Sequence, residues 1–141
     1  MNQVIDLQQK IKFDIDAIRS FADSLPDAIA EAAGKTFSVA FISNERMKQL
    51  NSTFRGKDAA TDVLSFPFEA QPFEPESDEI GDIVISAEQA QKQATENGLT
   101  LEGEIKQLIL HGVLHLCGYD HETDDGEMNA RELELRDELG I

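Results

Sequence analysis

The sequence predicts an α/β sandwich, with a mixed sheet of about four strands packed against about five helices. Short runs of β-branched and aromatic residues alternate with longer segments of helical spacing, in the order β-α-β-α-β-β-α-α-α. One helical segment, around Leu108–Leu116, is apolar on nearly every side, the mark of a helix buried in a core. The length of 141 residues, with 40% hydrophobic and 28% charged side chains, suits one core, so residues 1–141 read as a single domain.

The elements follow in order. Val4–Leu7 is a short strand. Ile15, Ile18, Phe21, Ala22 and Leu25 form the stripe of a helix running from Asp14 to about Ala33, with Pro26 expected to kink or restart it. Phe37–Ile42 (FSVAFI) is a strong strand, and residues 44–53 form a helix capped by Ser43. In Asp62–Phe68 the residues Leu64, Phe66 and Phe68 share one face; Pro67 removes an amide donor, which predicts an edge strand or a strand end. The fourth strand is Ile80–Ile85. Between the last two, the acidic stretch Glu69–Glu79, with Pro72 and Pro75, reads as an exposed, mobile spacer rather than a lid. Ser86 with Gln89 and the stop Asn97-Gly98 delimit a helix over 87–97. Thr100 caps the next, with Glu102 and Glu104 near its positive end; it runs to Cys117 and stops at Gly118. Asp124 with Glu127 opens a last helix that ends before Gly140.

Composition removes several function classes. With one cysteine, Cys117, no intramolecular disulfide can form. The start MNQVIDLQQK lacks the basic-then-apolar pattern of a signal peptide, and Leu108–Tyr119 is too short to cross a bilayer. A cytoplasmic protein without a membrane partner is expected. Twelve basic against 28 acidic residues give −16, a surface that repels phosphate chains. Arg46, Lys48, Arg55 and Lys57, however, fall in a window, 46–57, that holds no acid. That window reads either as a solvated helix face or as a local anion site on a repelling body.

All three histidines lie in HGVLHLCGYDH, as His111, His115 and His121. At about 100° per residue, His111 and His115 stand about 40° apart on one helical face, the spacing two imidazoles need to share a metal. Gly118 ends the helix in a left-handed turn, and the returning chain brings His121 to a third corner. Two unpartnered histidines on a buried helix are costly, and a divalent ion removes that cost. Three imidazoles favour zinc, with nickel, copper or iron as other possibilities. Cys117 points about 240° around the helix from His111 and reads as a small core residue. A closed structural zinc site normally has four protein ligands; three leave a corner for water, which marks a catalytic centre. Asp120 is placed to orient a ligand or handle a proton, or else to close the GYDH turn.

The spacing H-x3-H-x2-G-x2-H is similar to that of the zinc peptidases called metzincins, whose motif carries a glutamate after the first histidine as general base. Here that position is Gly112, so a peptidase is the runner-up. FRGKDAATDVLSFPF (Phe54–Phe68), then GDIVIS (Gly81–Ser86), then HGVLHLCGYDH are three blocks that together resemble the YbeY family of bacterial endoribonucleases. The resemblance implies a fold related in outline to zinc peptidases and a metal-dependent cleavage of single-stranded RNA. It implies roles in maturation of the small-subunit ribosomal RNA 3′ end and in ribosome quality control. It implies His111, His115 and His121 as zinc ligands and Arg55 in catalysis. Arg55 suits that role because a guanidinium fork holds two phosphoryl oxygens as charge builds on them. Lys57, with Arg46 and Lys48, would bind substrate. Residues 120–141 hold nine acids and two bases, so the acidic body is expected to dock on basic ribosomal proteins or assembly factors. A metal-stabilised ribosome-assembly factor without catalysis is the third reading.

Overall fold

The computed structural model describes residues 2–68 and 78–141. Four strands form one sheet: β1 (Gln3–Asp6), β2 (Thr36–Ile42), β3 (Val63–Pro67) and β4 (Glu79–Ser86). Their spatial order is β1-β2-β4-β3; β1 and β4 run parallel to β2, and β3 lies antiparallel on β4. The described residues include five α-helices: α1 (Ile15–Ala28), α2 (Asn44–Arg55), α3 (Ala87–Asn97), α4 (Leu101–Leu116) and α5 (Glu127–Leu139). The fold class, the mixed four-stranded sheet and the element order are those the sequence predicts. The spacer reading of Glu69–Glu79 lies, for residues 69–77, outside the described residues.

The strand period of two divides the side chains between two faces. Val4, Phe37, Val39, Phe41, Ile83 and Ile85 point to one face and join Ile18, Ala22 and Leu25 of α1 and the apolar residues of α4 in the main core. Each such Leu, Ile or Phe contributes about 1.5–3 kcal/mol by leaving water. The other face holds a smaller cluster, Ile42, Met47 and Leu64, with Leu50, Phe66 and Val84 beside it; α2 covers that face. Helix α4 is therefore central, touching α1, α3, α5, β3 and β4. Gly112 lets it sit close to the sheet, since a Cβ there would lie 3.0 Å from three carbons of Ile83.

The caps at Ser43, Ser86 and Thr100 form as the sequence suggests, and Asp14, expected as the first helical residue, is itself a cap. Asp14, Ser43, Ser86 and Thr100 accept from Ala17, Arg46, Gln89 and Gly103 N–H respectively. The Ser86–Gln89 box is one-sided, because the Ser86 N–H is spent on the Asp62 carbonyl across the sheet. The last helix opens later than expected: Gly126, not Asp124, is the N-cap of α5, while Asp124 accepts from Gly126 and Met128 N–H and Glu127 from Asp125 N–H. β3 is an edge strand and Pro67 is its last residue, both readings of Pro67 at once.

The strand bounds shift by one residue at most, but two helix ends differ by two residues or more. The first helix ends at Ala28, not near Ala33, and a 3₁₀ turn follows at Ala30–Ala32. Pro26 lies in its last turn and has no N–H for the Ala22 carbonyl; the Asn2 side chain donates instead, at 2.6 Å. Ile29 then leaves the helical conformation to enter the core. Helix α2 runs two residues past the expected end, to Arg55, and stops at Gly56 with φ 67°.

A polar clamp ties the chain after α4 to the rest. Glu31, in the 3₁₀ turn, accepts two bonds from Arg131 of α5, at 2.8 and 2.9 Å, and one from the Tyr119 hydroxyl at 3.1 Å. The Arg131 fork holds the Glu31 carboxyl at about 2, against the desolvation that would raise it. A carboxylate lowered from 4.5 to about 2 stabilises the fold fully above pH 5 and loses that contribution as pH falls toward 2. Urea unfolding of wild type and Glu31→Gln should differ by about 1–2 kcal/mol at pH 7 and converge near pH 2; a gap independent of pH would contradict the clamp.

Candidate metal centre

Ten residues of α4 are buried, and His111 and His115 stand on its more open side. The helix closes in a Schellman turn: the Gly118 N–H donates to the His115 carbonyl and the Tyr119 N–H to that of Leu114. Gly118 takes φ 107°, a conformation that favours glycine, and the chain turns back so that His121 faces the other two rings.

The three rings converge. Their centroids lie 4.9, 5.3 and 5.0 Å apart, and one nitrogen from each falls within 4.8 Å of the others. His121 Nδ1 stands 3.1 Å from His115 Nε2. Nitrogens bound at about 2.0–2.1 Å to one tetrahedral ion lie roughly 3.3–3.4 Å apart, so the donor set fits a single metal ion. Burial, then the charges of His111 and His121, push the His115 pKa down and favour the neutral imidazole that a metal requires.

His111 has a further partner that sequence reasoning missed. Its Nδ1 lies 3.2 Å from Glu132 Oε2 of α5, a carboxylate 8% exposed, which leaves Nε2 to face the other rings. Arg136 donates to the other oxygen of Glu132 at 3.1 Å. Burial works to raise the Glu132 pKa, but the His111 bond, that ring's charge and Arg136 outweigh it and hold the carboxyl low. The signal in sequence was only a glutamate on a helix of mixed polarity.

The rings open on a cleft of 540 Å³ between α4 with its return turn and the outer edge of β3. Arg55, at the end of α2, lines this cleft and donates to Glu122 at 3.1 Å. Asp120 also lines it; one of its oxygens accepts from the Glu122 N–H, so it closes the turn as well. Arg46, Lys48 and Lys57 do not line it. Arg46 is nine residues before Arg55, about 180° around α2, and Lys48 pairs with Asp58 at 3.7 Å. The basic window is thus not one patch. Cys117 lies outside the cleft, its Sγ 3.6 Å from the Glu31 carbonyl, and burial pushes its thiol up, away from the thiolate a metal would bind.

The family model for endoribonuclease YbeY matches residues 3–140. The chain belongs to the YbeY family. An endoribonuclease YbeY from Nautilia profundicola is 45% identical over 136 residues, covering 96% of this chain and 90% of the relative. One from Sulfurovum sp. is 40% identical, covering 100% and 94%, and one from Helicobacter pylori 43%, covering 93% and 86%. The solution structure of TM1509 from Thermotoga maritima superposes with a TM-score of 0.65 at 26% identity, covering 99% of this chain and 89% of that one. No helix among the described residues is long and apolar enough to cross a membrane.

Within this YbeY-family site, the Glu132–His111 contact orients one ring of the candidate centre. Glu132→Ala should weaken Zn²⁺ or Co²⁺ binding by about 10–100-fold in a competition titration with a chromophoric chelator. Unchanged affinity would mean that the contact serves only packing.

Proposed function

We propose that this chain is a zinc-dependent endoribonuclease that cuts single-stranded RNA in ribosomal RNA processing, including maturation of the small-subunit RNA 3′ end, and in ribosome quality control. The observation that carries the reading is the meeting of Arg55 from α2 with His111, His115 and His121 in one cleft. The names of the relatives, endoribonuclease YbeY, supply the reaction class.

His111, His115 and His121 would hold the ion, which when bound would supply Lewis acidity toward a phosphoryl oxygen or activate water. Glu132 fixes the tautomer of His111. Arg55 binds the phosphate with its guanidinium fork and stabilises the charge that grows on the phosphoryl oxygens. Its bond to Glu122 is an exposed pair, worth about 0–1 kcal/mol, so an incoming phosphate displaces it readily. Asp120, beside His121, orients a ligand or takes a proton. Lys57, Lys48 and Arg46 bind the chain farther from the cut and raise the local phosphate concentration. The acidic remainder docks on basic ribosomal proteins or assembly factors in the cytoplasm, which compensates the repulsion of free RNA.

The peptidase alternative has no support at Gly112, which is buried against Ile83 and carries no carboxylate. The non-catalytic alternative differs in its prediction for Arg55. Arg55→Glu should keep its metal and its fold while single-stranded RNA cleavage falls by at least about 100-fold, checked by metal analysis and gel assay on one sample. Full cutting by that variant would remove Arg55 from the reaction. Absence of cutting by the metal-loaded wild type, alone and with ribosomal subunits, would favour the assembly factor.

A further inference from the structure

Two phenylalanines, one at the end of α2 and one just after β3, stand largely in solvent. Helix α2 packs on the sheet through Met47 and Leu50. Phe54, one turn beyond Leu50, continues that stripe but remains 62% exposed. Its ring meets Phe66 of β3 edge-on, with centroids 5.3 Å apart and planes at 70°. Phe68, the residue that follows β3, is 49% exposed. The core does not use these faces. Single exposed apolar residues are ordinary on a protein surface, but here a ring is braced by another, and the next residue, Arg55, lines the cleft.

Their surroundings point to one occupant. β3 serves both features: Val63, Leu64, Ser65 and Pro67 line the cleft, while Leu64 and Phe66 also join the cluster that α2 covers. Arg55 follows Phe54 in sequence and lines the cleft itself. Of the acid-free window 46–57, Arg55 and, two residues on, Lys57 are the cations next to Phe54 in sequence, on a chain of net charge −16. An exposed aromatic face beside cations is the combination that single-stranded nucleic acids use, with bases stacking on rings and phosphates following the charge. A basic peptide would be repelled by Arg55 and Lys57.

We infer that Phe54, braced by Phe66, is a stacking platform for an unpaired base of the RNA whose phosphate lies at Arg55; this rests on the reading proposed above. Every base has a π-face, so such a platform tolerates sequence. A base inside a duplex has both faces covered by its neighbours, so the platform also selects single strands. Phe54 is a binding residue in this scheme and takes no part in the chemical step.

The chain contains no tryptophan, so Phe54→Trp places a unique indole at the platform. Titration of the metal-loaded variant with a ten-nucleotide oligouridylate should quench that fluorescence in step with binding, and a duplex of the same length should not. Phe54→Leu, which keeps apolar cover on Phe66 but lacks a π-face, should bind the oligonucleotide about 5- to 150-fold more weakly with an unchanged melting temperature. An indole indifferent to RNA at concentrations that the wild type cuts, or a Phe54→Leu variant with wild-type affinity, overturns the platform and leaves the nuclease reading standing. Loss of ribosomal-subunit binding by Phe54→Leu with RNA affinity intact would make the patch a protein-docking surface and also overturns it. A wild type that neither binds nor cuts RNA overturns both readings.

Discussion

Helix α4 is apolar on nearly every side because it fills the centre of the core, yet its last two turns carry two imidazoles on one face. Polar rings at the edge of such a helix need partners, and the chain supplies them by ending the helix at Gly118 and folding back. The return places His121 Nδ1 at 3.1 Å from His115 Nε2, and α5 brings Glu132 to His111. The rest of the architecture serves that meeting. β4 receives the face of α4 that bears Gly112, β3 forms the opposite wall of the cleft, and the Glu31 clamp fixes the turn between His115 and His121 through Tyr119.

What the sequence made legible is local or periodic. Caps at Ser43, Ser86 and Thr100 follow from short-range chemistry, and the strands from alternation. The three histidines were legible because helical spacing, a glycine stop and a short return are all encoded within eleven residues. The misses are long-range. Glu132 meets His111 across 21 residues, Arg131 meets Glu31 across 100, and Glu122 meets Arg55 across 67. None has a periodicity to mark it, since a carboxylate on a charged helix looks the same whether it faces water or a buried ring. The end of α1 was misplaced for a related reason. Its final turn depends on Asn2 replacing the donor that Pro26 lacks, a contact 20 residues away.

The electrostatics separate two tasks. A chain of −16 gains nothing from non-specific attraction to RNA, and its cations are few and dispersed around α2. Arg55 alone of the window lines the cleft, where it is held by an exposed acid that a phosphate can replace. Such a protein discriminates at the site rather than by bulk charge. On the proposed reading, selection for single strands falls to shape and stacking, and recruitment to a partner that tolerates an acidic surface.

The central claim is that three imidazoles converge on one ion and leave it open to chemistry. X-ray absorption on the zinc-loaded protein tests it most directly. The account predicts three nitrogen neighbours with imidazole scattering at about 2.0–2.1 Å and one lighter oxygen from solvent. A first shell dominated by carboxylate oxygens or containing the Cys117 sulfur, or a fourth imidazole from a second chain closing the site, would contradict it.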